Sequence, residues 1–174
     1  MTAGIDIADG DRVLHVALAD MEKFHGRNFA NGLAQALQVM RAATERLGDG
    51  RPLDRRRVRL VLGLDPPGVL DGFEYLTRAF TDRRVVVDRR IGIGPESYDG
   101  HYYFEVQYGG RRIVAVLKDE VIPEGYTAMA RRGFVGLLSA EERAAWDAGK
   151  QAIADRVLAG APEEAFEIAG PMPA

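Results

Sequence analysis

The sequence predicts an α/β (α+β) fold in which a long N-terminal helix packs on a mixed sheet of about five strands. A helical extension follows the sheet at the C-terminus. Three patterns indicate this fold: the amphipathic segment 24–48, the nearly continuous apolar segment 58–64, and the alternating segments 102–108 and 111–117 around a Gly-Gly pair. Together they predict one long helix, one buried strand and one β-hairpin.

The length of 174 residues is enough for one core, so we expect a single domain over 1–160 and an extended or disordered C-terminal arm over 161–174. No apolar run is long enough to span a membrane, and no leader segment is visible, so we expect a cytoplasmic protein without a membrane partner. The net charge of −3 argues against DNA as a partner. Because the chain has no cysteine and only three scattered histidines, we expect neither a metal nor a cofactor.

The first predicted elements are a strand at 12–18 and the long helix that ends at the glycine cap Gly48. The helix has an apolar stripe at intervals of three and four residues: Leu33, Leu37, Met40, Thr44 and Leu47. A polar turn with His25, Arg27 and Asn28 precedes it, and a helix entered in this way is either a pocket wall or an ordinary core helix with a polar entry loop.

The buried strand 58–64 leads directly into Asp65, which two prolines and Gly68 follow. Open α/β sheets place ligand-binding groups at the carboxyl ends of their strands, so Asp65 is a candidate site residue. It is equally suited to cap the next helix, predicted over 69–80, and the two interpretations are compatible. A short β-branched strand is expected at 84–88.

The hairpin strands 102–108 and 111–117 are followed by two more helices. Pro123 suits the first position of one helix, and Ser139 with Glu142 has the form of a capping box for the other. In the C-terminal arm, the apolar Phe166 and Ile168 are expected to pack on a neighbouring subunit. The segment 96–102, dense in hydroxyl, carboxylate and imidazole groups, supplies Ser97 and His101 as a second group of candidate site residues.

The order of these motifs resembles the N-terminal domain of the FmdE family, which is named after a subunit of formylmethanofuran dehydrogenase. FHGRNFANGLA precedes the long helix, DPPGVLDGFEYLT follows the buried strand, and YYFEVQYGGRRIVAVL and LKDEVIPEGY come next. The residues that match the family pattern are His25, Gly26, Gly32, Asp65, Gly68, Asp71 and Thr77. Arg27 stands where the family has a second histidine, and the two cysteine positions fall at Phe29 or Ala30 and at or beside Pro67.

The resemblance implies a cavity that has lost its metal ligands, as in the formaldehyde sensor of methylotrophic bacteria that belongs to this family. It therefore implies a non-enzymatic sensor of formaldehyde or its hydrate that signals growth or translation arrest through a translation-related partner. Asp65 and Ser97 would bind the two hydroxyls of the hydrate, and Arg27, His25 and His101 would orient Asp65. We expect a homo-oligomer because several weak sites acting together sharpen a response.

Two alternatives stay open. One is an enzyme or accessory subunit of one-carbon metabolism, with His25 or Asp65 as the general base. The other is a module that binds protein or RNA through the arginines at 55–57 and 111–112.

Overall fold

A computed structural model of the chain describes residues 4–26 and 30–174. The strands are β1 (Gly4–Asp9), β2 (Arg12–Ala17), β3 (Arg59–Leu64), β4 (Val85–Val87), β5 (Gly100–Tyr108), β6 (Arg111–Leu117) and β7 (Phe166–Pro173). The helices are α1 (Leu18–His25), α2 (Ala30–Leu47), α3 (Pro67–Thr77), α4 (Tyr126–Phe134), α5 (Ala140–Leu158) and α6 (Pro162–Ala165), with a 3-10 turn at Asp119–Val121. The predicted fold class is confirmed: the chain is α+β, with helices packed on a mixed sheet.

The main sheet has five strands in the order β4-β3-β5-β6-β7. Only β3 and β4 are parallel, and the other neighbours are antiparallel. Gly109 and Gly110 both have positive φ angles, 59° and 75°, and join β5 to β6 in a tight hairpin turn as predicted. In the part of the chain that the structure describes, no helix combines the length and apolar character needed to cross a membrane.

The C-terminal segment differs from the expected extended or disordered arm. It forms the short helix α6 and the edge strand β7, which pairs with β6 from Phe166 to Pro173. Phe166 is fully buried in the core, with its ring 6.0 Å from that of Phe104, rather than available for a neighbouring subunit. Phe166 and Ile168 therefore pack against the core of their own chain.

Helix α2 is the centre of the molecule. It packs against the sheet strands β5 and β6 and against α3 and α5, and every residue from Asn31 to Met40 is buried. The predicted apolar stripe thus covers only part of the buried surface, and the polar side chains Asn31, Gln35 and Gln38 also lie inside the protein. Gln38 is accommodated because its amide donates to the backbone oxygens of Val157 and Gly160.

Helices α2 and α3 approach most closely at two glycines. A Cβ atom at Gly32 would lie 2.5 Å from the carbonyl carbon of Gly68 and from the backbone nitrogen of Val69. A Cβ at Gly72 would lie 2.7 Å from the Cβ of Ala36, one turn further along. The lack of side chains at these positions lets the backbones touch, which brings the start of α2 beside the start of α3.

The strands β1 and β2 form a separate hairpin beside the main sheet, of which only β2 was predicted. The backbone N–H of Ala8 donates to Leu53 and that of Arg55 donates to Ala8, so the hairpin is anchored to the segment before β3. It lies next to α1 and the C-terminal half of α3 and forms one side of an open groove there.

Candidate functional site

A small, largely enclosed cavity of about 20 Å³ lies where the starts of α2 and α3 meet. Loop residues 97–98 cover one side of it, and α4 and α5 cover another. Its polar lining comes from Asn31, Gln35, Ser97, Tyr102, Tyr126 and Trp146. A volume of this size holds about one or two water-sized molecules, so any ligand bound there must be very small.

Gln35 is the most unusual residue of the cavity lining. It is 1% exposed, and among the described residues neither its amide nitrogen nor its amide oxygen has a hydrogen-bond partner. Leaving a buried amide without partners costs about 1–3 kcal/mol. The cavity beside Gln35 is therefore a place where a molecule that both donates and accepts hydrogen bonds would be stabilised.

Tyr126, at the start of α4, supplies a second polar group. Its hydroxyl accepts a hydrogen bond from the Asn31 amide at 3.2 Å. Burial, with the neighbouring Tyr102, raises the pKa of Tyr126 well above its usual range, although hydrogen bonds to Trp146 and Asn31 partly oppose the shift. Because the hydroxyl accepts from Asn31 and stays protonated, its own proton is available as a donor.

Ser97 lies on the opposite side and is 2% exposed. Its backbone N–H donates to the oxygen of Gly100 at 2.8 Å, which fixes the loop before β5. Its side chain is hydrogen-bonded to Tyr102. Burial raises the pKa of Tyr102 to about 12, so both hydroxyls are neutral at physiological pH.

Aromatic rings close the cavity. Tyr98 and Phe134 are stacked with their ring centroids 3.8 Å apart, and Phe134 meets the edge of Trp146 at 5.3 Å. These three rings connect the loop before β5 with α4 and α5. These rings, the aromatic cluster of Tyr98, Phe134 and Trp146, form one wall of the cavity.

The cavity is electrically neutral in its described part. None of the described residues that line it has a charged side chain. A neutral, desolvated site favours an uncharged ligand, because removing a charge from water without a partner is costly. Among residues 4–26 and 30–174, no three His, Asp or Glu side chains are grouped so that they would hold a metal ion.

Of the predicted site residues, Ser97 lines the cavity and Asp65 lies just outside it. Both oxygens of Asp65 accept hydrogen bonds from Arg89, at 2.9 and 2.7 Å, and Asp65 is 21% exposed. Arg89 also contacts Asp99 at 3.1 Å. Asp65 is thus held in a surface ion pair at the carboxyl end of β3, although its neighbour Pro66 reaches the cavity.

The two predicted histidines lie elsewhere. His25 lies at the end of α1 with its side chain 6% exposed, and its Nδ1 is 2.6 Å from Oδ2 of Asp71 on α3. His101 lies at the start of β5, where its backbone pairs with Glu96 and its buried Nδ1 has no hydrogen-bond partner among the described residues. Arg27 lies outside the described residues. Asp65, His25 and His101 are not among the described residues that line the cavity, whereas Ser97 is.

Three polar residues of the cavity lining, Gln35, Asn31 and Tyr126, were not among the site residues predicted from the sequence. Asn31 and Gln35 are four residues apart, so the sequence alone places them on one face of α2. On a helix with one exposed face, such a pair is expected to face solvent. The spacing of Asn31 and Gln35 indicates a buried polar pair only when α3 and α5 are known to cover that face of α2.

The chain matches no known protein-family profile, and no curated protein sequence is significantly similar to it. The resemblance to the FmdE family therefore stays a prediction from the motifs.

Proposed function

We propose that the protein is a cytoplasmic, non-enzymatic sensor that binds formaldehyde, as its hydrate, in the cavity beside Gln35. The observation that supports this proposal most directly is the buried Gln35 amide, both of whose polar atoms lack a partner among the described residues. A ligand with hydroxyl groups would accept from the amide nitrogen and donate to the amide oxygen.

The chemistry of the hydrate matches the cavity in three respects. Its single carbon bears two hydroxyls, so each can donate and accept a hydrogen bond. It has only three non-hydrogen atoms, and a volume of about 20 Å³ admits only very small ligands. It is uncharged, as the described cavity lining is.

The position of the cavity supports the same ligand. It lies where Gly32 and Gly68 bring α2 and α3 together, and both glycines belong to the motifs that resemble the FmdE family. Ser97, predicted to contact the hydrate, lines the cavity as well. Asp65 is paired with Arg89, so in this proposal Gln35 replaces it as the acceptor of the ligand's hydroxyl proton.

The small size of the ligand limits its affinity. Three non-hydrogen atoms at about −1.5 kcal/mol each give about −4.5 kcal/mol, which corresponds to a dissociation constant somewhat below 1 mM. Weak, reversible binding suits a sensor that responds to harmful concentrations. The same weakness is the reason to propose a homo-oligomer, in which several sites act together on a translation-related partner.

The proposal is tested by titrating the ¹⁵N-labelled protein with ¹³C-formaldehyde and following the side-chain amide of Asn31 and the backbone amide of Ser97, which line the same cavity, by NMR. We expect saturable shifts of these signals that reverse on dilution and are absent in Gln35→Met. The matched control is Gln151→Met, which makes the same change at an exposed position of α5 and should bind as the wild type does.

Two outcomes would overturn this assignment. Binding that is lost in Asp65→Ala but kept in Gln35→Met would move the ligand to the ion pair with Arg89. Consumption of formaldehyde by the purified protein would favour an enzyme or accessory subunit of one-carbon metabolism.

A further inference from the structure

An open groove on the other side of α3 is much larger than the cavity. Its volume is about 410 Å³, and it lies between strand β2, the end of α1 and the C-terminal half of α3. Ligand sites for small organic molecules have volumes of about 300–1,000 Å³. The groove therefore has the size for a ligand with an aromatic ring, which the cavity beside Gln35 does not.

Arg55 lies at the base of this groove. Its backbone N–H donates to Ala8, and its guanidinium donates to the backbone oxygen of Tyr75, so the side chain is fixed in place. Its Nε is buried and has no acceptor among the described residues. Loss of water, together with the nearby charges of Arg78 and Arg56, lowers the pKa of Arg55, while Asp9 and Glu74 act in the opposite direction.

Arg78 brings a second positive charge to the groove. It follows α3 with a φ of 54°, and its backbone N–H donates to the oxygen of Glu74. This left-handed conformation is uncommon for a residue with a side chain, and it ends the helix at the groove.

The acidic residues near this groove are already engaged. Asp9 pairs with Arg56 at 2.5 Å. Both oxygens of Glu74 accept hydrogen bonds from residues 80–81 beyond the helix. Within the described residues, neither Arg55 nor Arg78 forms an ion pair, and their two positive charges outnumber the single carboxylate, Glu74, among the described residues that line the groove.

Aromatic rings form the apolar wall of the groove. Phe24 at the end of α1 is 54% exposed, and its ring centroid is 5.4 Å from that of Tyr75 on α3. A planar ring can pack against such an aromatic pair.

From this arrangement we propose that the groove is a second binding site, for a small molecule that combines an aromatic ring with a carboxylate or phosphate. The acidic group binds between Arg55 and Arg78, and the ring packs against Phe24 and Tyr75. A carboxylate accepts two hydrogen bonds from one guanidinium, and a phosphate does the same. The site is separate from the cavity and does not depend on what the cavity binds.

The test uses four probes that separate the contribution of the aromatic ring from that of the acidic group. They are benzoate, phenyl phosphate, benzamide and inorganic phosphate. Each is titrated against the ¹⁵N-labelled full chain by NMR, with the amide signals of Phe24, Arg55 and Tyr75 as the readout. We expect at least one of the two aromatic acids to bind at least tenfold more tightly than benzamide and inorganic phosphate. The ratio of benzoate to phenyl phosphate affinity identifies the acidic group that the site prefers.

Arg78→Gln is the decisive variant, because Arg78 is exposed and its side chain makes no hydrogen bond or ion pair with the described residues. We expect it to weaken binding of the preferred aromatic acid about tenfold, and Phe24→Ala to weaken it severalfold. Arg143→Gln removes an arginine of α5 that does not line the groove and should leave binding unchanged. Equal affinity of Arg78→Gln and the wild type, equal binding of benzamide and the preferred aromatic acid, or no binding of either aromatic acid would overturn the proposal.

Discussion

Helix α3 separates two very different sites. Its first turn, with Gly68 and Val69, closes the cavity, and its last turn, with Tyr75 and the following Arg78, borders the groove. The cavity measures about 20 Å³ and its described lining is neutral, whereas the groove measures about 410 Å³ and presents two guanidinium groups that no described carboxylate pairs with. One helix thus supports a site that selects by size and a site that selects by charge.

The difference follows from access to water. A ligand in the largely enclosed cavity loses most of its hydration, so its polar atoms need protein partners and a charge would be expensive. The groove remains open to solvent, where charged side chains keep part of their hydration and attract anions over longer distances. The two sites should therefore respond differently to packing changes, pH, loss of a polar group and salt.

The largest loss of stability is expected for Gly32→Ala, which disrupts the close packing of α2 on α3 beside the cavity. The new Cβ would lie 2.5 Å from the backbone of Gly68 and Val69, and backbone atoms cannot move aside as a flexible side chain can. We expect a loss of about 3 kcal/mol in the free energy of unfolding, measured with urea. Gly92→Ala is the control, because a Cβ at the exposed Gly92 would meet nothing within 4 Å. Similar losses in both variants would contradict the close α2–α3 packing.

High pH should be the next strongest perturbation of the cavity. In the unfolded chain a tyrosine ionises near pH 10, whereas Tyr102 in the folded protein keeps its proton up to a pKa of about 12. The folded state then binds more protons between these values, so the free energy of unfolding falls as the pH rises from about 10 to about 12. Tyr102→Phe should reduce this fall by about 2 kcal/mol, measured by urea unfolding at several pH values. An unchanged pH dependence in the variant would show that Tyr102 does not titrate late.

A smaller effect of opposite sign is expected for Gln35→Met in the absence of ligand. The change removes a buried amide that has no partner among the described residues, and it should raise the free energy of unfolding by about 1 kcal/mol. Gln38→Met is the matched control on the same helix, and it should be destabilising because Gln38 donates to the oxygens of Val157 and Gly160. Thermal unfolding of both variants measures the contrast. Destabilisation of both to the same extent would mean that Gln35 is already fully hydrogen-bonded.

The parts of the fold that sequence predicts well are those that local chemistry determines. The Gly109-Gly110 turn has the positive φ angles that two glycines allow, and the Ser139 side chain accepts the hydrogen bond from Glu142 that a capping box requires. Each depends on residues within a few positions of one another.

The candidate site was harder to predict because it depends on contacts between distant segments. Asp65 does lie at the end of a buried strand, but its partner Arg89 is 24 residues away, and nothing near Asp65 in the sequence indicates this pair. The sequence of β7 alone predicts an extended or disordered arm, because nothing in it indicates the pairing with β6. Gln35 is recognisable as unusual only once every residue of α2 from Asn31 to Met40 is known to be buried.

The smallest expected effect is the most specific test of the contrast between the two sites. From about 0.01 M to about 1 M salt, the distance over which charges act falls from about 30 Å to about 3 Å. Binding of the preferred aromatic acid in the groove should weaken about threefold over this range, because Arg78 is exposed and its charge is screened. Binding of formaldehyde in the cavity should not change, because neither the hydrate nor the described cavity lining is charged. NMR titration of one sample with both ligands at two salt concentrations measures this difference, and a parallel salt dependence of the two would mean that they share a site.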